Sequence, residues 1–108
     1  MGEPHRPENG IAQRGTVVVV NPNGLHMRPA MAFVRIAQQF TATVTVRRGA
    51  DAVNGKSLIE LMMLAAEPGT ELTVEVSGTD AASALPALME LLASPSAEDT
   101  DDEASQSG

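Results

Sequence analysis

The 108-residue chain has no cysteine, which removes disulfides, thiolate metal ligands and cysteine nucleophiles together and fits a reducing compartment. It also has no tryptophan or tyrosine, and Phe33 and Phe40 are its only phenyl rings, so the stacking platforms that single-stranded nucleic acid needs are missing. Positive charge is scarce: seven Lys and Arg stand against fourteen Asp and Glu, a formal net charge of -7. That sign is wrong for neutralising phosphates along a nucleic acid. No uninterrupted apolar run is long enough to span a bilayer, and the opening MGEPHRPENGIAQRG lacks the apolar core of a signal peptide. Its Met-Gly start does not make an N-myristoylation signal, because Arg6 stands where Ser or Thr is needed. These absences lead to the expectation of a cytoplasmic chain without nucleic-acid partner or membrane insertion, of a length suited to one domain and one principal site.

Composition shifts mark the expected domain edges. Residues 1–14 are rich in Pro, Gly and charge, and residues 94–108 (SPSAEDTDDEASQSG) lack any large apolar side chain. Both ends are expected to be disordered, with a domain over 15–93 between them. The tail holds Glu98, Asp99, Asp101, Asp102 and Glu103 with no basic residue, so most of the net charge belongs to it.

Within the domain, strands and helices alternate. Thr16–Val20 is a β-branched run, while Ala42–Arg47 and Glu71–Ser77 alternate apolar with polar residues, as strands with one wet face do. Arg48-Gly49 reads as a turn into a short further strand near Asp51–Val53, forming a hairpin. Pro29–Phe40 places Ala30, Phe33, Val34, Ala37 and Phe40 at helical spacing, and Ser57–Ala66 does the same with Leu58, Leu61, Met62 and Ala65. Asp80–Leu92 predicts a third helix, with Pro86 expected to kink it or to move its start to Leu85. The order βαββαβα predicts a two-layer α+β sandwich with the helices across one sheet face.

The segment between the first strand and first helix reads Asn21-Pro22-Asn23-Gly24-Leu25-His26-Met27-Arg28-Pro29-Ala30. Pro29 suits a first helical turn, so the helix starts at Met27 or at Pro29, and either start puts His26 at its mouth. The first N–H groups of a helix have no intrahelical acceptor and face an anion favourably, and Arg28 adds a planar cation suited to phosphate oxygens. An imidazole, an anion cradle and a guanidinium are the parts needed to accept a phosphoryl group. On spacing alone, an incidental loop histidine beside a solvated arginine is the favoured reading, with the phosphoryl site as the other. Ser57-Leu58-Ile59-Glu60 forms a capping-box pattern that makes Ser57 a helix N-cap.

GLHMRPA at 24–30, followed by VNGKSLIELMML at 53–64, resembles the HPr family of histidine phosphocarriers of the phosphoenolpyruvate:sugar phosphotransferase system. The resemblance covers 15–93. It implies an open-faced sandwich with an antiparallel sheet of order 1-4-2-3 covered on one face by three helices. It implies a monomeric carrier, not an enzyme, with no cofactor and no metal, which forms a phosphohistidine at Nδ1 (the pros nitrogen) of His26. Enzyme I, charged by phosphoenolpyruvate, would supply that phosphoryl group, and sugar-specific A components would receive it. Arg28 matches the family's neighbouring arginine, and Ser57 the serine that a dedicated kinase, with its phosphorylase, modifies in part of the family. Met27, Met31, Leu58, Ile59 and Met62 lie where the family docks partners. Leu58 and Met62 also fit an inward stripe, whereas flexible thioethers at Met27 and Met31 suit a surface that meets several partners. Met27 departs from the Ala or Thr common at its position.

Three other readings compete. A regulatory, nitrogen-related phosphorelay would use the same site without sugar transport. A domain that only binds regulators is disfavoured by the intact His26 and Arg28. An acyl carrier modified at Ser57 would need Asp before the serine and an all-helical bundle, whereas Lys56 and three clear strands stand here.

Overall fold

The structure, a computed structural model, describes residues 12–20, 22–64 and 66–93. Seven elements follow one another: β1 (Ala12–Val18), α1 (Met27–Ala37), β2 (Thr43–Arg48), β3 (Asp51–Asn54), α2 (Leu58–Leu64), β4 (Glu71–Ser77) and α3 (Ala81–Ala93). The strands form one antiparallel sheet in the order β1-β4-β2-β3, as the resemblance implies. Alternation sends Val44 and Val46 of β2 and Leu72, Val74 and Val76 of β4 to the buried face. The helices cover that face, with Phe33 of α1, Leu61 of α2 and Leu88 of α3 closed from solvent. Each such side chain contributes about 1.5–3 kcal/mol of transfer free energy.

Boundaries differ from expectation in several elements; α1, for one, ends at Ala37 and not at Phe40, whose N–H donates to Ala37 O at 3.2 Å in the turn that follows. β1 starts at Ala12, not Thr16, because Ala12, Gln13 and Arg14 pair with Ser77, Val76 and Glu75 of β4. Ladder bonds and an ion pair of Arg14 Nη2 with Glu75 Oε2 at 2.6 Å make a strand of residues whose own β-propensity is low. The expected disordered arm therefore loses Ala12–Arg14 to the sheet, and its remainder, like the acidic tail, lies outside the described residues. α2 is shorter than Ser57–Ala66, because Ala66 leaves the helix and its carbonyl accepts a hydrogen bond from Leu25 N–H at 2.8 Å.

α3 begins at Ala81, close to the expected Asp80, and not at the later start at Leu85 that Pro86 would allow, so Pro86 sits inside it. A proline there costs roughly 3 kcal/mol, which burial of Ala81, Ala84, Leu88 and Leu92 offsets. Asp80 fixes the start. Its carbonyl accepts from Ser83 and Ala84 N–H, while its carboxylate accepts from the N–H groups of Thr41 and Ala42 at 2.8 and 2.9 Å. The hydrogen bond from the Thr41 backbone, above all, holds the Asp80 carboxyl below its ordinary range.

These connections give the sandwich two ends. At one, Asp80 joins the start of α3 to the chain leaving α1; at the other lie the end of β1, the start of α1 and the segment following α2.

Candidate functional site

The link from β1 to α1 is held against the chain between α2 and β4. Val19 N–H donates to Thr70 O at 2.8 Å, Gly69 N–H donates to Val19 O at 2.9 Å, and Leu25 is tied to Ala66 as described. Gly24 adopts φ +74°, and a Cβ there would stand 2.5 Å from the Ala66 carbonyl oxygen, so glycine is required twice over. His26 N–H donates back to Gly24 O at 3.0 Å, and the Leu25 side chain between them is buried in the core. A buried leucine and a tight turn thus deliver His26 to the helix mouth in one orientation.

The helix starts at Met27, the earlier of the two starts the sequence allows. His26 is its N-cap, with extended backbone at φ -89° and ψ -170°, and its carbonyl accepts from Ala30 N–H at 3.0 Å. The His26 ring makes no capping hydrogen bond. Serine or aspartate at this place would use its side chain to satisfy the first turn; a histidine that does not is held for something else. Its Nε2 is buried with no hydrogen-bond partner among the described residues. The first turn contains no acidic residue, and Arg28 is exposed there. Helix dipole and guanidinium therefore add, and an anion is favoured beside the ring.

Of the residues placed in the docking patch, Met27, Met31 and Ile59 are exposed, at 51%, 40% and 72%. Leu58 and Met62 are only partly exposed and pack against the core, as their place on the inward stripe foretold. Met63, which the sequence pattern does not single out, is 73% exposed. It lies four residues after Ile59, on the face that the inward stripe of α2 leaves outside. Met31, Val34, Arg35, Gln38 and Leu58 line a shallow groove between α1 and α2.

Ser57 is the N-cap of α2, and its Oγ accepts from Glu60 N–H at 3.2 Å. The reciprocal half of the capping box is absent. Glu60 Oε1 instead accepts from Asn54 N–H at 2.8 Å, and Ser57 N–H donates to Asn54 O at 3.1 Å. Lys56 Nζ donates to Phe40 O at 2.7 Å, which ties this turn to the far end of α1. Ser57 therefore follows a turn tied to the C-terminal end of α1, whereas His26 caps the N-terminal end of that helix. Among the described residues no group of three or more His, Asp or Glu could hold a metal ion, and no helix is long and apolar enough to cross a membrane.

Residues 13–94 match the family model described as the PTS HPr component phosphorylation site. The phosphocarrier protein HPr of Neisseria meningitidis serogroup A is 42% identical over 77 residues, covering 71% of this chain and 86% of that protein. A multiphosphoryl transfer protein of Xanthomonas campestris pv. campestris is 34% identical over 96 residues, which cover 89% of this chain and 12% of that much longer protein. Among solved structures, the phosphocarrier protein HPr of Bacillus anthracis superposes with a TM-score of 0.72 at 36% identity, covering 75% of this chain and 96% of that one.

Proposed function

Because this chain belongs to the HPr family of phosphocarriers of the phosphotransferase system, we propose that Nδ1 of His26 accepts a phosphoryl group from phosphorylated enzyme I and hands it to sugar-specific A components. The observation that carries this assignment is the burial of Nε2 without a partner. A nitrogen shut from solvent cannot meet an external phosphorus without the ring turning over, so Nδ1 is the reactive one. On charging, a P–N bond forms at the Nδ1 lone pair as the donor's bond to phosphorus breaks; on delivery that P–N bond breaks as the receiving group bonds to phosphorus. In the charged form the ring proton resides on Nε2. The α1 terminus and Arg28 face the phosphoryl oxygens and stabilise the charge spread over them in flight. The partner supplies the remaining machinery, so the chain is a carrier and not an enzyme, working in the cytoplasm where phosphoenolpyruvate is made. Incubation with phosphoenolpyruvate and enzyme I should add one phosphoryl mass, labile to acid as a phosphoramidate is. An unmodified mass, or an acid-stable adduct, would refute the reading.

Arg28→Ala should slow phosphorylation about tenfold or more, equivalent to about 1.4 kcal/mol at the transition state. Its exposed side chain carries little of the fold, so melting should be nearly unchanged. A large fall in melting temperature with normal transfer would assign Arg28 to structure instead.

Ser57 is a candidate for regulation by a serine kinase and phosphorylase. A phosphate there lies at the positive end of α2 and is compatible with the fold. It is also too far along α2 to touch His26, so it would act on docking by setting close to two negative charges beside Leu58 and Ile59. Ser57→Asp should keep its melting temperature within a few degrees yet accept phosphate more slowly at subsaturating carrier. Ser57→Ala should lose the bond to Glu60 N–H and about 1 kcal/mol of stability. Identical transfer rates for Ser57→Asp and wild type would leave Ser57 as a helix cap alone.

A further inference from the structure

The chain has six methionines and no cysteine, so thioethers are its only sulfur groups. The fold sorts the five that are described into two sets. Met62 and Met89 pack against the core, and Met89 Sδ lies 3.1 Å from where a Cβ of Gly15 would stand, so α3 holds that sulfur against β1. Met27, Met31 and Met63 are exposed, Met63 most and Met31 least. All three of these lie on α1 and α2, the two helices whose first turns carry His26 and Ser57.

Two of the exposed sulfurs border the site. Met27 directly follows His26 at the mouth of α1, and Met31, one turn later on the same side of the helix, lines the groove that Leu58 of α2 also lines. A protein that reaches the His26 ring covers Met27 as it does so. Met63 and Ile59, four residues apart, share the outer side of α2. A thioether suits such a surface while it is reduced, being apolar, flexible and polarisable. Oxidation reverses the first of those properties, because a sulfoxide is polar and chiral and carries an acceptor oxygen.

We propose that Met27, Met31 and Met63 are oxidation sites at which hydrogen peroxide slows the charging of His26, and that sulfoxide reduction restores it. The sulfur lone pair attacks one peroxide oxygen, the O–O bond breaks, and the proton on the transferred oxygen joins the departing hydroxide as water. Sulfur is thereby oxidised by two electrons and the peroxide reduced to water. No thiol of this chain intercepts the oxidant. Solvent access then orders the thioethers, so Met63, Met27 and Met31 react before Met62 and Met89. The fold survives, because the three side chains are exposed. A partner shaped to an apolar thioether must desolvate each new S=O group, which weakens its binding. The order of oxidation stands on exposure alone; only the consequence for transfer rests on the carrier reading.

The test treats the full chain with hydrogen peroxide, locates the added oxygen by mass spectrometry of peptide fragments, and measures the initial rate of enzyme I-dependent phosphorylation at subsaturating carrier. Oxygen should appear first at Met63, Met27 and Met31, and melting should stay within a few degrees of the untreated chain. The rate should fall about tenfold, the factor that ~1.4 kcal/mol makes. The two methionine sulfoxide reductases, one for each sulfoxide epimer, should restore it. In a Met27→Leu/Met31→Leu/Met63→Leu variant the treated and untreated rates should be equal, whatever the untreated rate is; in Met62→Leu/Met89→Leu they should differ as in wild type. Oxidation of Met62 or Met89 as fast as the outer three overturns the assignment of sites. Oxidation of the three with an unchanged rate, or a loss that persists in the triple variant, overturns their control of charging. A slower rate accompanied by a large fall in melting temperature overturns action at the surface. If the untreated chain takes no phosphate at all, the carrier reading fails and control of charging with it, while the fragment masses still decide the sites.

Discussion

His26→Ala should abolish enzyme I-dependent phosphorylation completely while leaving the fold intact. No other described group combines a ring nitrogen with a helix N-terminus and an adjoining arginine, so no described residue can take over the transfer. The fold should tolerate the change because the imidazole makes no capping bond and its Nε2 is an unpaired buried atom. An unsatisfied buried polar atom costs stability, so deleting it offsets much of the packing that the ring provides. The checks are intact-protein mass after incubation with phosphoenolpyruvate and enzyme I, and thermal melting within a few degrees of wild type. Phosphorylation surviving in a folded His26→Ala chain would move the acceptor elsewhere.

Gly24→Ala should be the most damaging small substitution near the site. A left-handed conformation costs an L-residue about 1–2 kcal/mol. Displacing the Ala66 carbonyl also weakens the Leu25 hydrogen bond, worth about 1 kcal/mol. A total near 3 kcal/mol lowers melting of a domain this size by roughly 12–24 °C. The same displacement moves the histidine that Leu25 positions. Transfer measured well below melting should therefore fall about tenfold or more, since small misplacements of reacting groups are costly. Gly49→Ala is the control: that residue also has positive φ, at +60°, but nothing lies within 4 Å of its Cβ position. It should lose about 1–2 kcal/mol and transfer normally. Equal melting and equal transfer for the two variants would show that the approach to Ala66 does not hold the site.

Much of this architecture is legible in the sequence because it is local. β4 has the boundaries its alternation predicts, Glu71–Ser77, and the β2–β3 hairpin turns at Gly49 as expected. The start of β1 is not legible, because Ala12–Gly15 owes its strand to β4, a partner about sixty residues away, and pairing overrides propensity. The short α2 has a similar cause, since Ala66 is recruited by the site loop. The proposed acceptor is legible as three residue types close together, His26, Arg28 and Pro29. The role of Gly24 is not, because a close approach to a carbonyl some forty residues away leaves no local signature. Nor is the rerouting of Glu60 to Asn54 N–H: the capping-box pattern states which groups can pair, and the turn preceding α2 decides which do.

Burial of Nε2 leaves Nδ1 as the proposed acceptor nitrogen of His26, and correlation of phosphorus with ring nitrogen by NMR in the 15N-labelled, phosphorylated chain tests this directly. A single phosphohistidine with its P–N bond at Nδ1 of His26 is the expected result. A bond at Nε2 would contradict the assignment from burial, and a signal from His5 or from a serine oxygen would contradict the site itself.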